Sequence, residues 1–142
     1  MLLAVLERLQ EHAPGLASVD IGEDLDAIVA GTAPGTGDTF VIPARERADP
    51  NRLAMGGFRQ RVTEQFYVAF FISYHGDVHG RARAERFDGF KTAIEDALAG
   101  WQPSPDSEPF ALVNGEGTPL GNNLSVYVQA WQTTRTLSGK DP

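Results

Sequence analysis

The chain has 142 residues, 42% hydrophobic and 22% charged, with a net charge of −7 and no cysteine. Such a length and composition suit one domain around one core, and the missing thiols exclude disulfides, thiolate nucleophiles and zinc–cysteine sites. The acidic balance argues against general binding to nucleic acid or anionic membrane, and no apolar run approaches the ~20 residues of a membrane span.

The opening MLLAVLERLQEH has no basic leader and is interrupted by Glu7, Arg8 and Glu11, so a signal peptide is not expected. Residues 1–13 predict an amphipathic helix instead. Leu2, Val5, Leu6, Leu9 and Ala13 recur at helical spacing, and Pro14-Gly15 ends the pattern. LASVDIG (16–22) reads as a short strand, and DLDAIVA (24–30) fits a helical turn or a strand. GTAPGTGD is a loop by its Gly and Pro content, and TFVIP is a short strand stopped by Pro43. A long loop is expected over 44–58, and connections of that length in a compact domain are usually functional or disordered.

Residues 61–74 predict a long strand. Val62, Phe66, Val68, Phe70, Ile72 and Tyr74 share one face, broken only by Glu64. Thr63, Gln65, Tyr67, Ala69, Phe71 and Ser73 share the other. From His75 to Ala99 a turn leads into a helix, with Asp77 as candidate N-cap, an apolar stripe of Phe87, Phe90, Ile94, Ala97, Leu98 and Trp101, and Gly100 as its cap. PSPDSEP is a connecting loop, and FALVNGEG reads as a strand entering an Asn-Gly turn. NLSVYVQAWQTTRTL predicts a second long strand, with Leu124, Val126, Val128 and Ala130 on one face and Tyr127, Gln129 and Trp131 on the other. The tail from about 138 is expected to fray.

This order predicts an α+β fold over 1–142: an antiparallel or mixed sheet with two main helices packed on one face. The other face is expected to carry Tyr67, Phe71, Tyr127 and Trp131 together, and such a face has to be covered, for example by another subunit.

Charge is concentrated. Arg45, Arg47, Arg52, Arg59 and Arg61 fall in one window with only Glu46 and Asp49 against them. A basic segment on an acidic body can meet a complementary acidic surface, including a second copy; the alternative is a solvated loop with scattered ion pairs. Catalytic signals are weak. His75, Asp77 and His79 form H-x-D-x-H, but in a Gly-containing turn without an obvious fourth ligand. GTAPGTG lacks the Gly-Lys-Ser/Thr ending of a phosphate loop, and no G-x-S-x-G elbow exists. No catalytic residue, metal or cofactor is expected.

The succession MLLAVLERLQEHAPGLASVD, DTFVIPARER, QRVTEQFYVAFFISYHGDVHGRARAERFDGFKTAIEDALAGWQP and VYVQAWQTTRTL covers nearly the full chain. It resembles the tail terminator (tail completion, minor tail protein U-like) proteins of long-tailed bacteriophages and prophages. The resemblance implies a non-enzymatic virion protein of the tail, assembled in the host cytoplasm as a hexameric ring. Such a ring caps the tail tube, ends polymerisation and offers the surface for joining the head or neck. The implied partners are the chain itself, the tail tube protein and a head–tail connector or neck protein, without membrane or specific nucleic-acid binding. The five arginines with Tyr67, Phe71, Tyr127 and Trp131 are the candidate subunit or tube contacts, the arginines on charge alone. Competing readings are another connector or tube component, a ligand-binding domain using the aromatic face, and a metal-dependent enzyme at His75, Asp77 and His79.

Overall fold

The two longest strands organise the chain. A computed structural model describes residues 1–31, 34–51, 53, 57–73 and 80–139. Its elements are α1 (Leu2–His12), β1 (Ser18–Ile21), α2 (Leu25–Ala30), β2 (Asp38–Ala48), β3 (Arg59–Ser73), α3 (Arg81–Leu98), β4 (Ala111–Gly121) and β5 (Leu124–Ser138). One sheet runs in the order β1-β2-β3-β5-β4. β1 lies parallel to β2, and every other neighbouring pair is antiparallel. The fold is α+β, as the alternation of periods in the sequence implies.

The sheet has two covered regions. On one face α1 and α3 pack over Val41, Phe66, Val68, Phe70 and Trp131, contributing Val5, Leu9, Ile94, Ala97 and Leu98. Arg8 ties the two helices, because its Nε donates to the Ala97 carbonyl at 2.8 Å while its guanidinium lies 5.0 Å from the Trp101 ring centroid. α3 starts after Gly80 (φ 71°), while the expected cap Asp77 lies outside the described residues. Gly100 (φ 77°) lies just past its end, where a left-handed residue lets the chain leave the helix. On the opposite face the short α2, capped by Asp24 whose Oδ1 accepts from the Ala27 amide at 2.7 Å, brings Leu25 and Ile28 against Ile42, Ala69, Phe71 and Val126. That settles the 24–30 segment as helix.

Several elements differ from the sequence reading. β2 does not stop at Pro43 but continues to Ala48, with an irregularity between Pro43 and Arg45, so residues 44–48 of the expected loop are strand. Proline is tolerated there because β1 pairs only with Asp38–Val41, leaving this part of β2 at a sheet edge. Asn114-Gly115 is not a turn. β4 runs through it, and the hairpin turns at Asn122-Asn123, both at positive φ (52° and 59°). Ser138, the last residue of β5, is paired with Arg59, and the Gly139 amide donates to the Phe58 carbonyl, so the strand runs up to the expected start of the tail.

Glu64, the break in the apolar face of β3, is buried and accepts from Arg135 Nε at 2.5 Å. Arg135 also reaches Glu46 at 3.4 Å. Burial pushes the Glu64 carboxyl upward, but the Arg135 hydrogen bond and charge, with a further contribution from Glu46, outweigh it and hold the group below its ordinary value. A lowered carboxyl pKa adds stability that is complete above the unfolded-state pKa and disappears as the pH falls through the folded one.

Two outcomes follow for denaturation experiments. Glu64→Gln is expected to cost about 1.5–3 kcal/mol near neutrality. The gap to wild type should narrow as the pH drops below the ordinary carboxylate range; a gap independent of pH would contradict the ion pair. A Cβ on Gly115 would clash with the Tyr127 hydroxyl, whereas one on Gly89, within α3, meets nothing within 4 Å. Gly115→Ala should therefore destabilise by about 1–3 kcal/mol, and Gly89→Ala should stabilise by about 0.5–1 kcal/mol.

Candidate assembly surface

Of the four aromatic residues expected on one exposed face, two are fully buried and a third, Tyr127, is half-buried. The register pairs Phe66 with Trp131 and Phe70 with Tyr127, and directly paired residues share a face. Trp131 is therefore fully buried on the α1/α3 side, where its indole N–H donates to Gln129 Oε1 at 3.2 Å. Tyr127 packs between Phe70 and Phe87, with ring centroids 5.4 and 4.7 Å away. Phe71 is fully buried on the other side, edge-on to Phe40 at 5.9 Å and beneath α2. The contact assignment of Phe71 and Trp131 is thus corrected, since they build the core, while Tyr127 is half-buried at its margin. Each strand alternates as expected, but the matching of faces between β3 and β5 differs by one residue. Tyr67 alone stays open, at 39% relative exposure.

Tyr67 stands at the margin of the region that α2 covers, in a groove it shares with Leu25, Arg45 and Gln65. Around it on β2, β3 and β5 lie Arg45, Arg47, Thr63, Gln65 and Gln132, and Arg45, Arg47, Thr63, Gln65 and Gln132 line a shallow groove of about 550 Å³ together with Glu46. The irregularity after Pro43 sets the arginines' direction: beyond it, Arg45 pairs with Gln65 and Arg47 with Thr63. Arg45 Nε donates to Gln65 Oε1 at 3.1 Å, a neutral partner. Arg47 is 86% exposed with Asp49 3.9 Å away, a pair worth little in water. Arg61 is ion-paired within the chain to Glu108 at 2.6 Å. Arg59 is exposed beside Asp49, Pro50, Leu53 and Arg61. Arg52 lies outside the described residues, as do His75, Asp77 and His79.

The structure thus brings Arg45, Arg47 and Tyr67 onto one surface and separates Arg59 and Arg61 toward the start of β3. Sequence reasoning missed a second feature, the open edges of the sheet. All eleven residues of β4 are exposed, including Leu112 and Val113. The available signal was compositional: ALVNGEGTPLG has one charged residue and no lysine or arginine, the usual guards of an edge strand. A flat surface of Thr, Gln, Arg and one Tyr is suited to hydrogen bonding and charge complementarity. Among the described residues, no three His, Asp or Glu side chains converge in a way that would hold a metal.

Comparison with known proteins supplies the context. A family model described as phage tail terminator protein matches residues 2–140. A chain in the solved structure titled "Virion of native gene transfer agent (GTA) particle" has the same fold, with a TM-score of 0.52 and 14% identity over 96% of this chain and 95% of that one. No curated protein sequence matches. With the family match running almost end to end, the chain belongs to the phage tail terminator family and is a structural component of the virion tail.

Proposed function

We propose that the protein caps the phage tail tube as a hexameric ring, ends polymerisation there and presents the surface on which the head or neck is joined. The observation that carries this reading is the family match over residues 2–140. The fold likeness to a chain of a gene transfer agent virion agrees with it. The physical form of the subunit suits the task. A closed ring of identical subunits uses heterologous contacts, so each copy needs two different patches for its neighbours, and tube and neck need others. The Arg45–Arg47–Tyr67 surface is one such patch; Arg59 and Arg61 lie apart from it toward the start of β3, and Arg52 is a candidate on sequence grounds. The protein works by binding, without a catalytic step or cofactor.

Electron microscopy of tail tubes assembled with and without the protein tests this. Wild type should stop growth with one ring at one tube end, and the Arg45→Glu, Arg47→Glu double variant should leave ends open and tubes growing. Normal capping by the variant would contradict the arginine role. Stacking of the wild-type protein along the tube would make it a tube component instead.

A further inference from the structure

We infer that neighbouring copies join by extending the sheet: the outer edge of β4 in one copy pairs antiparallel with the outer edge of β2 in the next. The inference rests on the ring reading and specifies how the ring closes. β4 is the last strand, bonded only to β5, and among the described residues no backbone group reaches its outer side. At the other end of the sheet β1 covers only Asp38–Val41, and the last bond on that side is from the Gly22 amide to the Val41 carbonyl. The remainder of β2, Ile42–Ala48, is paired to β3 alone. Beside it lies a groove of about 590 Å³, bounded by Met1, Leu2 and Leu3 of the α1 end and by Pro43–Glu46. An exposed strand edge is a template for another strand.

The occupant is a second copy because the two edges match each other in charge. On the α2 face, β2 presents Arg45 and Arg47, and β4 presents its single charge, Glu116, opposite Val128. Joining the sheets brings carboxylate toward guanidinium on that face. Direction agrees as well. Three successive antiparallel pairings make β4 run opposite to β2, so the joint is antiparallel and keeps the alternation of faces. The two edges lie at opposite ends of one sheet, so the contact is heterologous and repeats from copy to copy. β1 occupies the start of the β2 edge, so β4 slides past it toward the β2–β3 hairpin, and the strands tilt as closed sheets require.

The absence of native cysteine makes the test direct. Glu116→Cys is combined in one chain with Arg45→Cys, and separately with Arg47→Cys. Both ends are exposed and lie three strand spacings apart, roughly 14 Å, beyond the reach of an intrachain disulfide. Oxidation of the assembled protein, or a short bifunctional thiol reagent, should give a ladder of covalent species with at least one double variant. Each single-cysteine variant should give none. A Glu116→Cys chain that links to itself would overturn the inference in favour of a symmetric β4–β4 pair. A ring-sized mass by light scattering without mixed links would overturn the edge pairing and leave the ring standing. A monomer mass throughout a concentration series, without mixed links, would overturn both.

Discussion

Everything else in this fold depends on the pairing of β3 with β5. Fifteen consecutive residue pairs, from Arg59 with Ser138 to Ser73 with Leu124, fix which side chains share a face. Phe66 and Trp131 meet on the α1/α3 side with Phe110 over them, and Phe70 meets Tyr127 beneath Phe87 and Phe90. Removing a buried Trp or Phe from such a cluster costs about 3–5 kcal/mol, a large share of the stability of a domain this size. A slip of one residue would turn Trp131 outward and bring Ala130 in, so the register and the core determine each other.

This constraint also explains what was legible in the sequence. Local periodicity showed α1, α3 and both long strands, because each pattern is complete within its own segment. It also carried the family resemblance, which is a succession of elements. The relation between strands is not local. Alternation in β5 says that Tyr127 and Trp131 share a face, but not whether that face meets Phe66 or Tyr67. Pro43 and Asn114-Gly115 misled for a related reason. Proline ends a strand where the amide is needed, and at an edge it is not. Gly115 and Gly117 serve as bare floor beneath the Tyr127 ring, leaving the turn to Asn122-Asn123. The candidate site was legible only in part: charge pointed to Arg45 and Arg47, whereas the open edges emerge only when the strand order is known.

The layout has a consequence for assembly. With Phe66, Phe70, Phe71 and Trp131 committed to the interior, a Thr, Gln and Arg surface around Tyr67 and two strand edges remain outside. Contacts of this kind are specific in direction and charge but modest in apolar burial, so assembly through them would be sensitive to salt and cooperative in closure. A ring closed through its edges would leave no free strand template, in keeping with the proposed capping role.

Amide hydrogen exchange on the free and the assembled protein tests the central claim most directly, namely that the interior is closed around the β3–β5 pair and the binding capacity lies at the edges. The central amides of β3 and β5 should be the slowest in both states. Outward amides of β4 and of β2 beyond Val41 should exchange quickly in the free chain and become protected on assembly. Protection appearing instead over α1 and α3, with the two edges still exchanging freely, would contradict the account.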